Sequence, residues 1–237
     1  MLPDTIQHLI RTADWAVRAH SQHQMNWRQR HTIYTAFDTT TPSIGTQARI
    51  WLAILTAEYV LPIFEATFAE VCFEPPEDDA YAELPRQWIT LAHTIVEGRS
   101  DPQSIAEYRH MAHTNMGCMQ LDYGSLARNM VAAAEAAYRA TKEALGIVPF
   151  HDLHLYSISP RGFGSYGQIH DTDAVRATEW PDTRLAFLAG DVAAAAAIAF
   201  SCNRTSLECD SGKLLTFWGW WLAEAIPTAW AKANEPR

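Results

Sequence analysis

The chain has 237 residues, 48% apolar and 19% charged, with 27 acidic against 18 basic residues and a formal charge of −9. A chain of this length and apolar content buries roughly 70% of its unfolded surface, which excludes extended disorder. It has no stripe of arginine and lysine, and its net charge repels a phosphate backbone, so nucleic acid is not an expected partner.

Ile6, Leu9, Ile10, Ala13, Ala16 and Val17 share one side of residues 3–20, which predicts a first helix with Asp4 placed to cap it. The wet, basic stretch HSQHQMNWRQR at 20–30 reads as a loop or an exposed short helix around Met25 and Trp27. Threonines and Pro42 in TIYTAFDTTTPSIG predict a connection rather than a continued helix. Residues 46–71 then carry Ile50, Ile54, Ala57, Leu61, Phe64 and Phe68 at helical steps, with Pro62 expected to kink the helix near Glu58. Pro75 and Pro76 stop it, beside the densest acidic patch of the chain. A further helix over 82–97, with Leu84, Trp88, Leu91 and Ile95 inward, ends at Gly98 in the usual left-handed stop.

Ser100-Asp101-Pro102 supplies a side-chain cap and then proline in the first turn of the next helix, whose inner face is Ile105, Tyr108, Ala112 and Met119. After a break at 122–125, an alanine-rich helix turns Leu126, Met130, Ala134, Ala137, Thr141 and Leu145 inward and runs to Gly146. Pro149, Pro160, Gly162, Gly164 and Gly167 make 147–180 a structured loop, with a short hairpin at LHLYSIS as the alternative. Asp182 or Thr183 is expected to cap a helix through Leu188 and Ala193 to Phe200. The polar connector SCNRTSLECDSGK leads to a last helix containing Leu214, Leu215, Trp218, Trp221, Leu222, Ala225 and Ile226, which Pro227 ends or bends. Trp218 and Trp221 should pack inward while Trp220 points elsewhere.

The expected fold is therefore all-alpha: an irregular multi-helix bundle of seven or eight helices in a single domain, 1–237, with the antiparallel pair 46–71 and 82–97 at its centre. Four scattered cysteines, Cys72, Cys118, Cys202 and Cys209, read as reduced and mostly buried thiols. The apolar stretches 185–200 and 214–230 are interrupted by Asp191 and by Glu224 with Pro227, so they read as core helices rather than membrane spans. The N-terminus lacks the basic and apolar regions of a signal peptide, and a cytoplasmic location with no membrane contact is expected.

His110 and His113 share a helix face and could hold a metal together with His93 or Cys118, although no glutamate lies within the spacing in the HExxH manner. His151 and His154 with His170, Asp171 and Asp173 form a second group, able to serve acid/base or metal chemistry from a glycine-rich loop. Against both stand ordinary hydrogen-bonded histidines. No GxSxG elbow, P-loop or dinucleotide fingerprint is present, RGFGSYG included, and no cofactor is expected. Glu58 and Glu65 border the core or lie outside it; periodicity does not separate the two.

Residues 48–98 resemble the Imm5 family of immunity proteins from bacterial polymorphic toxin systems. The likeness lies in the helix ending Glu58-Tyr59-Val60-Leu61-Pro62-Ile63-Phe64-Glu65, the acidic Asp78-Asp79 turn, Pro85-Arg86 with Trp88, and the closing Gly98. The segment EDDAYAELPR puts extra residues between the acids and the arginine. The resemblance implies neutralisation of a cognate protein toxin by occlusion, without turnover. Charge density, rather than any family site, selects Glu74, Glu77, Asp78 and Asp79 as contacts to a basic toxin surface. Two other readings are a helical metal-dependent enzyme built on the clustered histidines, and a ligand-free protein that self-associates as a homodimer through exposed tryptophans.

Overall fold

A computed structural model describes residues 1–40, 42–72, 81–146, 191–205 and 208–235. Among them the chain is all-alpha: α1 (Asp4–Ala19), α2 (Trp27–Thr40), α3 (Pro42–Val71), α4 (Leu84–Val96), α5 (Pro102–Tyr123), α6 (Arg128–Ala144), α7 (Val192–Ser201), α8 (Ser211–Trp220) and α9 (Ile226–Ala233). A π-helical turn, Trp221–Ala225, joins α8 to α9, so 211–233 is one continuous helix and the described residues form eight helices. No strand occurs among the described residues, only one isolated bridge between Cys202 and Cys209.

The core is organised around α3. This helix has Leu52, Ile54, Ala57, Val60 and Phe64 without exposed surface, and α2, α4, α6, α7 and α9 pack around it. Along 50–57 nearly every residue is buried, so the helix is apolar on every side there, whereas Glu58, Pro62 and Glu70 are exposed in its second half. Length and composition would also let Ile44–Val71 cross a membrane; in this fold half of its apolar window is buried by the other helices. The helix runs as one element through Pro62. Alanine faces dominate the contact of α6 with α7, where Ala134, Ala136, Ala140, Ala193, Ala196 and Ala197 have no exposed surface. Side chains this small let two helix backbones approach closely.

Several sequence expectations are corrected. Residues 27–40 are a helix, so of the two readings of 20–30 the helical one holds from Trp27 while the connection expected after it does not, and Met25 is fully buried rather than exposed. Ile33, Tyr34, Ala36 and Phe37 form a buried stripe on α2, while the Thr32 and Thr39 hydroxyls donate to Arg28 O and Thr35 O one turn back. Burial of that stripe outweighs the modest helix penalty of threonine. Pro42 opens α3, where its missing N–H costs nothing. Asp4 lies within the first turn of α1, behind Pro3 as the N-cap, so it acts by charge rather than as the cap. Leu126 is exposed in the turn before α6.

The thiol expectation also changes: Cys202 and Cys209 are bonded to each other, while Cys72 and Cys118 are free and only partly buried. Pro227 does not end the last helix, which continues to Ala233. Its missing N–H is accommodated by the π turn just upstream, where Ile226 N–H reaches back to Trp221 O. Other expectations hold. Asp101 caps α5 by accepting from Ser104 N at 3.0 Å, and Gly98 and Gly146 adopt φ of 71° and 63°. Trp218 and Trp221 are fully buried, and Trp220 is partly exposed, stacked on Tyr59 at 3.7 Å. The helix expected to run from Asp182 or Thr183 through Leu188 to Phe200 instead starts at Val192, with Asp191 in extended conformation as its cap. The stop at Pro75-Pro76, the loop 147–180 and Asp182 and Thr183 themselves lie outside the described residues.

Candidate functional site

The most unusual chemistry of the described residues is a charged group, built on a fully buried arginine and partly buried partners, where α2, α3, α6 and the start of α7 meet. Arg30 lies on the inward side of α2 and has no exposed surface. Its Nε donates to Asp191 Oδ2 at 2.7 Å and its Nη1 to Met25 O at 2.6 Å, and the guanidinium carbon sits 5.8 Å from the Trp218 ring centre. The other Asp191 oxygen accepts from Ala194 N at 2.7 Å and so caps α7. One carboxylate thus neutralises a buried cation and satisfies an orphan amide of a helix terminus.

Tyr34, one turn along α2, is buried beside this pair. Burial holds its hydroxyl well above the ordinary tyrosine range, and the Asp191 charge adds to the effect. Asp38, a further turn on, meets Arg49 of α3, whose Nη1 is 2.5 Å from Asp38 Oδ2. Arg49 Nε approaches Glu143 Oε1 of α6 at 3.0 Å, an ion contact in which the N–H is poorly aimed at the oxygen. Burial pushes the Glu143 carboxyl up from its usual value, against the downward pull of Arg49. Three carboxylates therefore share two guanidinium groups. Of the three, Glu143 is the one whose charged form burial disfavours most clearly, although Arg49 lies beside it.

Sequence reasoning missed this group. Arg30 sits in a stretch read as solvent-exposed, Asp191 was met only as an interruption of an apolar run, and Asp38, Arg49 and Glu143 carried no pattern. An aspartate directly before VAAAAA is an N-cap signal and could have placed Asp191. Nothing in sequence pairs it with Arg30.

The expected metal residues that lie in the described part of the chain are not gathered. His110 and His113 are both exposed on α5, and His113 Nδ1 lies 3.4 Å from the Tyr138 hydroxyl. His93 faces α3 instead, its Nε2 at 2.7 Å from Glu58 Oε1, with the ring edge-on to Trp51 at 5.4 Å. Glu65 pairs with Arg86. Glu58 and Glu65 thus lie at the surface of α3 and pair with α4. Among the described residues no group of three or more His, Cys, Asp or Glu is placed to hold a metal. His151, His154, His170, Asp171 and Asp173 lie outside the described residues, as do Glu74, Glu77, Asp78 and Asp79.

A second feature is the outer side of α5. This helix buries one stripe, Tyr108, Ala112, Met116, Met119 and Tyr123, against the bundle. On the other side Met111 is 46% exposed and Leu121 76%, with Leu126 of the following turn at 41%. Cys118 and Gly117 lie between Met111 and Leu121 on the same side by helical spacing.

No family model matches the chain, and no curated protein matches it.

Proposed function

We propose that this chain is a non-enzymatic protein-binding protein that neutralises a cognate toxin by occlusion, in the manner of an immunity protein. The observation that carries the reading is the outer side of α5, where Met111, Leu121 and Leu126 project large apolar side chains into solvent. Single exposed apolar residues are ordinary. Three on one helix and its adjoining turn, in a helix attached along one side only, supply the anchors on which protein interfaces concentrate their binding energy. The net charge of −9 favours a basic partner and speeds encounter with it. The resemblance of residues 48–98 to immunity proteins names the kind of partner.

Expression of the gene product encoded beside this chain, in cells with and without it, tests the reading. Growth arrest by the neighbour should be relieved by the wild-type chain. Relief should be lost with Met111→Asp/Leu121→Asp, both substitutions being at exposed positions that leave the circular dichroism of the bundle unchanged. A harmless neighbour, or equal relief by the double variant, overturns it.

A further inference from the structure

We propose that the Cys202–Cys209 disulfide is a redox-controlled latch, opened by thiol–disulfide exchange with a dithiol and holding in its closed form the start of α6 and the end of α3. Cys202 is the C-cap of α7, its N–H bonded to Ile198 O at 2.9 Å. Cys209 directly precedes Asp210, the N-cap of α8, which accepts from Lys213 N at 3.0 Å. The bond therefore ties the exit of one helix to the entry of the next, across a separation of 7 residues. Two backbone bonds flank it, Asp210 N to Ser201 O at 2.9 Å and Asn203 N to Glu208 O at 3.3 Å. That pattern makes the cysteines a non-hydrogen-bonded antiparallel pair, in which facing side chains come close.

The closed connection serves two other helices. The N-cap of α6 is Ala127, which offers no side-chain acceptor. Arg128 N–H instead donates to Arg204 O at 2.7 Å, so the disulfide-bounded turn supplies the missing cap. The Arg204 side chain reaches Glu70 Oε2 in the last turn of α3, at 3.2 Å. The disulfide and the two ladder bonds together fix Arg204 between the ends of α7 and α8, so opening the disulfide removes the covalent part of what holds these two contacts.

The exchange balances simply. One thiolate of the reductant attacks Sγ of Cys209, the more exposed of the two residues, and breaks the S–S bond. Cys202 leaves as a thiolate and takes up a proton. The second thiol of the reductant then attacks its own sulfur of the mixed disulfide, releasing Cys209 and closing the reductant into a cyclic disulfide. Two electrons and two protons have passed to the cysteine pair. In a reducing compartment the latch is open; in an oxidising one it is closed.

The test uses the full chain carrying Cys72→Ser and Cys118→Ser, so that only this pair can form a bond. Peptide mapping without reductant should find Cys202 joined to Cys209. Amide exchange over 127–131 should be about 10-fold slower in the oxidised protein than after dithiothreitol, while amides of α4 are unchanged. Cys202→Ser/Cys209→Ser should reproduce the reduced pattern with or without dithiothreitol. An unbonded pair in the air-oxidised chain, or equal exchange over 127–131 in both states, overturns the proposal. Loss of protection in α4 as well overturns it too, because the bond would then hold the whole fold rather than a local contact.

Discussion

Arg30 and Asp191 are 161 residues apart in the chain, yet their side chains meet at 2.7 Å, the guanidinium with no exposed surface and the carboxylate 11% exposed. Removing either partner leaves the other charge buried alone, which costs about 3–5 kcal/mol, whereas replacing both costs far less. Arg30→Met and Asp191→Asn should each lower the urea-derived stability by about that amount. Asparagine still caps α7, so the loss reports the charge rather than the cap. The double variant should recover a large part of the loss; strict additivity of the two single effects would show that the residues do not interact.

Gly45 of α3 packs against the backbone of α2. A Cβ built there would lie 2.0 Å from Phe37 O and 2.4 Å from the Phe37 carbonyl carbon. Neither is a flexible side chain, so the two helices must separate, and the fully buried Phe37 ring stacked on Trp230 moves with them. Gly45→Ala should destabilise the fold by about 3 kcal/mol, read as a fall in Tm of about 6–12 °C. An unchanged Tm would show that the α2–α3 crossing is wider than described.

Glu143 makes the stability of the bundle depend on pH. Its carboxyl titrates above the ordinary value of 4.5 in the folded chain, because burial disfavours the charged form. Between the unfolded and folded values the native state holds the proton and the unfolded state does not. Stability from this group is therefore full below the unfolded value and is lost as pH rises through the folded one. Urea midpoints measured from pH 4 upward should fall more for the wild type than for Glu143→Gln as pH rises above that value. Parallel profiles would remove Glu143 as the source.

Thr56 and Trp221 are both buried, and Trp221 Nε1 donates to Thr56 Oγ1 at 3.1 Å while that hydroxyl donates to Leu52 O at 2.6 Å. Thr56→Val keeps the shape and strands the indole N–H. A loss of about 1–2 kcal/mol is expected in equilibrium unfolding, with the Trp221 fluorescence following the same transition.

The all-alpha class, the ends of α4, α5 and α6, and the inward set of the last helix were legible in the sequence, because helical periodicity, caps and left-handed glycines act within a few residues of one another. Asp101, Gly98 and Gly146 do locally what their types predict. The charged group around Arg30 was not legible. Arg30 is read as wet from its neighbours, and only the placement of α7 against α2 brings Asp191 to it. The same holds for α2 itself, where threonines argue locally against helix and burial of Ile33, Tyr34 and Phe37 decides for it.

The sequence by itself determined which segments are helical over most of the described chain and which of their faces are apolar, since both follow from spacing along the chain. Only the tertiary structure decided that α3 is the hub, that α5 leaves Met111 and Leu121 outside, and that the Cys202–Cys209 turn caps α6 through Arg204. Each of these depends on long-range packing, in which every helix competes for the same limited core, and no local pattern encodes the outcome.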